Sequence, residues 1–124
     1  MKSGAEINVF TKFHRSPLHI AAIRGFLEVV KVLYEYNIDI NAVDNDGNTA
    51  LHFACENGYK EIVKYLISIN CNIVKNKEGL TPIDDCCDES LKKIFTQYGF
   101  KENGDYEEYN KINETKAKRI VVGR

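Results

Sequence analysis

Long apolar runs are missing from this chain. No segment of its 124 residues approaches the roughly 18 apolar residues that a membrane-spanning helix needs. A surplus of one charge is missing too. Lys and Arg number 17 and Asp and Glu 18, a net charge of −1, so no basic field points to nucleic acid or to an anionic membrane surface. The first fifteen residues carry Lys2, Glu6 and Lys12 and lack the apolar stretch of a secretory signal. There is no glycine loop of the phosphate-cradling kind.

Cysteines are few, and their spacing is uninformative for chemistry. Cys55, Cys71, Cys86 and Cys87 form no C-x-x-C pair and match no zinc pattern. All four fall in or beside apolar periodic segments, where a free thiol packs as a small hydrophobe. They are expected to be reduced residues of a reducing compartment. Cys55 and Cys87 occupy equivalent repeat positions, expected roughly 8–10 Å apart on packed helices, too far for a disulfide.

What the chain does have is self-similarity. Ser16-Pro17-Leu18-His19-Ile20-Ala21-Ala22 returns 33 residues later as Thr49-Ala50-Leu51-His52-Phe53-Ala54-Cys55. Gly25 and Gly58 keep that offset, as do Glu28–Leu33 and Glu61–Leu66. A third unit begins at Gly79-Leu80-Thr81-Pro82-Ile83-Asp84, offset by 32. Ser16, Thr49 and Thr81 stand where a helix N-cap hydroxyl belongs. Pro17 and Pro82 follow at the first helical position, where a missing N–H costs nothing. Leu18, Ala21 and Ala22 form one stripe at helical spacing. Gly25 and Gly58 close these helices with a left-handed residue. Second helices are predicted over about 26–36 and 59–69, with Val29, Val30 and Leu33, and Ile62, Val63 and Leu66, facing inward.

The period and the T-P-L-H-x-A-like signature resemble the ankyrin repeat, over roughly residues 4–99. The resemblance implies an all-α fold: a short solenoid of helix-turn-helix units with β-turn tips, in repeats 16–43, 44–75 and 76–99. Residues 1–15 then hold the tail of a preceding repeat and the first turn. Gly4-Ala5-Glu6-Ile7-Asn8 matches Asn37–Asn41 in register. Asn37 and Asn70 replace the family's glycine after the second helix, and Asn tolerates the left-handed conformation next best. In the first turn His14 stands in the glycine position, so that turn is expected to be the least regular. Repeat 1 reads apolar throughout (Ile20, Ile23, Phe26, Val32). Its outer face is therefore expected to be covered, by further sequence of a longer parent or by weak self-association of an otherwise monomeric chain. Repeat 3, with Asp84, Asp85, Asp88 and Glu89 and a short helix over about 89–98, reads as a C-terminal cap. The polar segment 100–124 is either partly disordered or a helix docking Tyr106, Tyr109 and Ile112 on the last repeat.

No residue set calls for catalysis, a cofactor or a metal. His19 and His52 sit at the signature position without a nucleophile and a third orienting group. Asp44-Asn45-Asp46-Gly47 lacks the terminal glutamate of a calcium loop and has turn chemistry instead. The resemblance implies binding of a protein partner through turn tips and exposed inner-helix positions. The tips are Lys12, Phe13 and Arg15, then Asn45, Asp46 and Asn48, then Lys77 and Glu78. The helix positions are Ile23, Arg24, Glu56 and Asn57. Phe13 is the best single anchor, because aromatics and arginines dominate binding energies. Asn41 resembles the loop asparagine that some ankyrin repeats present to an asparaginyl hydroxylase; the alternative role is a turn-stabilising side chain. The expected compartment is the cytoplasm, with the nucleus compatible. Two narrower roles are open: a small regulator similar in plan to myotrophin, whose family partner is the actin-capping heterodimer, and the targeting domain of a larger enzyme or channel.

Overall fold

The computed structural model describes residues 11–86 and 89–97. Among these residues there are five helices and no strand: α1 (Pro17–Arg24), α2 (Leu27–Glu35), α3 (Ala50–Glu56), α4 (Lys60–Ser68) and α5 (Glu89–Gln97). Helices α1 and α2 form the first unit and α3 and α4 the second. The units stack, with α1 against α3, α2 against α4 and α4 against α5. The third unit departs from the others. Its Pro82–Asp85 segment makes a turn, closed by Asp85 N–H to the Thr81 carbonyl at 3.3 Å and to the Pro82 carbonyl at 3.2 Å, in place of an inner helix. The Gly4–Asn8 repeat tail, Cys87 and the 100–124 segment with its proposed docking helix lie outside the described residues.

Each inner helix starts as its sequence requires. Ser16 and Thr49 have extended backbones, and their side-chain oxygens accept the N–H groups of His19 and His52 at 3.4 Å. The histidine rings return the favour, accepting Ser16 N–H at 3.0 Å and Thr49 N–H at 3.1 Å on Nδ1. This reciprocal cap satisfies two otherwise orphaned donors per helix. Gly25 closes α1 at φ 76°, and a Cβ there would lie 2.8 Å from the Tyr59 ring of the next unit. Gly25 is therefore required twice, for its dihedral and for the close approach of a neighbour. Asn37 and Asn70 take φ 66° and 64°, filling the left-handed position left without glycine.

The first turn keeps the bonding pattern of the other two and is the most loosely bonded of the three. His14 is left-handed at φ 60°, as Gly47 is at 78°. Thr11 Oγ accepts Phe13 N–H at 3.3 Å and Arg15 N–H at 3.2 Å. Asp44 does the same for Asp46 and Asn48 at 2.9 and 3.0 Å, and Asn76 for Glu78 and Leu80 at 2.9 and 3.0 Å. The pattern is identical and only the bonds are longer, because a hydroxyl on a shorter side chain substitutes for a carboxylate or amide.

The core runs continuously through the stack. Leu18, Ala21, Ala22 and Val30 join Leu51, Ala54, Cys55, Ile62, Val63 and Leu66, and the cluster continues into Leu91, Ile94 and Phe95. The alanines at the α1–α3 crossing are what allow two backbones to approach there. Burying a Leu or Ile side chain stabilises by about 1.5–3 kcal/mol, so cohesion is spread over every inter-unit layer rather than held at one centre.

Candidate partner-binding surface

The turn tips are fixed to one another by a repeated bond. Asn45 N–H donates to the Phe13 carbonyl and Lys77 N–H to the Asp46 carbonyl, both at 3.0 Å. The histidines supply a second link. His19 Nε2 lies 2.9 Å from the Asn48 carbonyl, and His52 Nε2 lies 2.9 Å from the Leu80 carbonyl. Since Nδ1 accepts a backbone N–H, the proton sits on Nε2 and is donated onward to the next turn. Burial lowers both histidine pKa values, and the accepting carbonyls of Asn48 and Leu80 oppose that only in part. The signature histidines are thus neutral structural links.

On this rigid row of tips, Phe13 is 52% exposed. Cations flank its ring: Lys12 Nζ is 5.2 Å from the centroid and the Arg15 guanidinium 5.3 Å. Arg15 also lies 5.0 Å from the Phe53 ring and 3.4 Å, through Nε, from the buried Asp44 carboxylate. Arg15 is therefore held in the structure of the tip and presents Phe13, rather than reaching out freely. Lys12, Asn45, Asp46, Lys77 and Glu78 are exposed at the tips, and Asn48 is half-buried with its Oδ1 accepting the Asn76 amide at 2.9 Å. On the inner helices Arg24, Glu56 and Asn57 are exposed and Ile23 is half-buried. Asn57 Nδ2 donates to its own helix at the Phe53 carbonyl, 3.0 Å.

Two acidic residues absent from the sequence-based set join this surface. Asp84 is exposed, and the half-buried Asp85 has its pKa raised, first by burial and then by the charges of Glu56, Asp84 and Glu78. The signal available in the sequence was register: Asp85 takes the position of Phe53, where repeat 2 has an aromatic. The face therefore runs from Lys12, Phe13 and Arg24 at one end to Glu56, Glu78, Asp84 and Asp85 at the other.

Asn41 is engaged between units. Its Oδ1 accepts Asn72 N–H at 2.7 Å, and its own N–H donates to Asp39 at 2.9 Å. Cys55 and Cys71 are buried free thiols, with burial pushing Cys55 well up and Cys71 to about 12. Cys55 shares a thiol hydrogen bond with Cys86, while its expected spacing to Cys87 falls outside the described residues. The Cys86 thiol also donates to the Pro82 carbonyl at 3.5 Å. No group of three or more metal-ligating side chains occurs among the described residues, nor any helix long and apolar enough to cross a membrane.

Comparison with known proteins agrees with the geometry. The family model for ankyrin repeats (3 copies) matches residues 1–77 and again 37–97. A putative ankyrin repeat protein of Acanthamoeba polyphaga mimivirus is 41% identical over 51 residues, 39% of this chain and 8% of that protein. The serine/threonine-protein kinase VIK of Arabidopsis thaliana is 49% identical over 35 residues, 28% of this chain and 8% of the kinase. The matched stretch thus spans under a tenth of either curated relative.

Proposed function

The chain belongs to the ankyrin repeat family, and from that premise we propose that it is a non-catalytic recognition module whose concave face and turn tips bind one protein partner. Ankyrin repeats are generally protein–protein interaction modules, and a fold of this kind does not select the partner. The observation that carries the reading is the half-exposed Phe13, held between Lys12 and Arg15 on a hydrogen-bonded tip. A large aromatic fixed in place before binding loses little entropy when a partner covers it. The opposed charges along the face favour a partner that is basic opposite Glu56, Glu78 and Asp85 and apolar or acidic opposite Phe13 and Arg24. The contact set proposed is Lys12, Phe13, Arg15, Ile23, Arg24, Asn45, Asp46, Asn48, Glu56, Asn57, Lys77 and Glu78.

The test is affinity purification from native lysate with the wild type and a folded Phe13→Ala/Arg24→Ala variant. Enrichment of one protein by the wild type and its loss with the variant supports the reading. Retention by the variant moves recognition off repeat 1.

A second reading is the targeting domain of a larger enzyme or channel. It is favoured by the matched segment of a serine/threonine-protein kinase, a protein far longer than the match. No contact on the surface favours the actin-capping partner of a myotrophin-like regulator over any other.

A further inference from the structure

The repeat register allows one face of the stack to be compared with itself. Phe26, Tyr59 and Leu91 occupy one equivalent position; Phe26 is 51% exposed, Tyr59 is half-buried and Leu91 is fully buried. Val29, Ile62 and Ile94 occupy another, at 45%, 2% and 5%. Val32, exposed, corresponds to the half-buried Tyr65. In the second unit these residues are covered by the first. The Tyr59 ring sits against Gly25, and Tyr65 meets Tyr34 edge-on at 6.2 Å with Lys31 Nζ 5.8 Å from its centroid. In repeat 1 the same side chains are equally apolar and stand in solvent. Isolated exposed hydrophobics are ordinary, but an in-register set that elsewhere in the same molecule forms the stacking layer marks an interaction face.

We propose that Phe26, Val29 and Val32 of repeat 1 are a docking face for one further ankyrin unit, seated as repeat 1 is seated on repeat 2. The occupant is defined by the interface already present. It offers a glycine opposite the Phe26 ring, as Gly25 does to Tyr59, and an apolar second helix opposite Val29. Residues 4–8 repeat Asn37–Asn41 in register, and the family match includes them. A unit placed ahead of them therefore connects without change of phase. A second copy stacked head-to-tail does not meet this description. Among the described residues, the exposed ones of α5 are Glu89, Ser90, Lys93, Thr96 and Gln97, polar side chains that offer Phe26 no apolar layer. This face is separate from the concave surface, and its test is independent of the partner.

The experiment extends the full chain by duplicating residues 4–36 ahead of Gly4, which keeps the 33-residue register. Stability is read by urea unfolding, because solenoid stability is a sum of unit and interface terms and the slope grows with the surface exposed on unfolding. The expected result is a single transition with a midpoint higher by about 0.5 M or more and a steeper slope. Phe26→Lys/Val29→Lys, introduced only in the original unit, should abolish that gain while leaving the unextended chain within error. Because the added unit could fail to fold for reasons of its own, a second extension carries residues 37–69 instead. Two extensions that leave midpoint and slope unchanged overturn the proposal. So does a lysine pair that destabilises the unextended chain as much as the extended one. Sedimentation of the unextended chain as a dimer that the lysine pair dissociates also overturns it, since a second copy is then the occupant.

Discussion

Repeats 2 and 3 begin with the same cap and differ in what the third residue of that cap can do next. In repeat 2, His52 accepts Thr49 N–H on Nδ1 and donates from Nε2 to Leu80 in the following turn. In repeat 3, Asp84 accepts Thr81 N–H at 2.9 Å and Thr81 Oγ–H at 3.1 Å. A carboxylate has no proton to pass on. The cap is therefore kept while the onward link is lost. The lesson is that cohesion in this stack is directional: each histidine closes its own helix and fastens the unit that follows it.

The largest expected effect tests whether the middle unit carries more than the last. Leu51 is 1% exposed between two units, whereas Ile83 is 9% exposed in the unit that lacks an inner helix. Leu51→Ala should cost about 2–5 kcal/mol, and Ile83→Ala should fall at the low end of that range because its surroundings can collapse more freely. Urea unfolding of both variants measures the difference. A Leu51→Ala loss below about 1 kcal/mol would mean that the layer between the units is not the one described.

The comparison of caps gives the next effect in size. His52→Ala strands the Leu80 carbonyl and the Thr49 N–H together, an expected loss of about 1–3 kcal/mol. Asp84→Ala removes only a local cap, about 0.5–2 kcal/mol. Amide exchange locates the difference. His52→Ala should raise exchange in the Asn76–Leu80 turn as well as in its own repeat, while Asp84→Ala should leave repeat 2 protected. Equal exchange patterns for the two would break the claim of direction.

Much of this was legible in sequence because the repeat is a translation of one local solution. The hydroxyl cap, the signature histidine, the glycine and the apolar second helix recur at fixed spacing, so α1 to α4 fall within a residue of their expected bounds. What sequence hid was compensation. Thr11 stands in for an acidic turn residue, which keeps the His14 turn regular, and no spacing rule shows that a hydroxyl reaches two N–H groups there. The shortened third unit was hidden for a related reason: Thr81-Pro82 is a good helix start, yet only one turn follows it. On the surface, register placed Phe13, but whether Arg15 was free depended on Asp44 and Phe53, which lie 29 and 38 residues away in the chain. Asp85 joined the acidic end through the charge of Glu56, a residue 29 positions earlier in the chain.

The smallest effect is one of pH, and it separates the histidine-linked repeats from the acidic one. His19 and His52 are held neutral by burial, with folded pKa values below the ordinary histidine value of 6.5. The charges near them are Asp44 and Arg15 for His19, and Asp44 and Asp84 for His52. As pH falls below 6.5, the unfolded chain takes up protons at these positions while the folded chain does not. Stability supplied by the neutral form is complete above that pH and is lost on the way down to the folded pKa. Asp85 has the opposite sign. Its folded pKa is raised above 3.8, so the stability its protonated form supplies is present below that value and lost as pH rises through the folded pKa. Between pH 7.5 and 5.5 the histidine contribution is being lost, and the urea midpoint of the wild type should fall. The fall should be shallower in His52→Ala, which retains only the His19 contribution. At lower pH the relief of charge at Asp85 should partly offset the histidine loss in the wild type, and Asp85→Asn should remove that offset. A wild-type midpoint that is flat or rising from pH 7.5 down to 5.5 would mean that the signature rings accept a second proton in the folded chain. They could not then be both acceptor to their own cap and donor to the next turn.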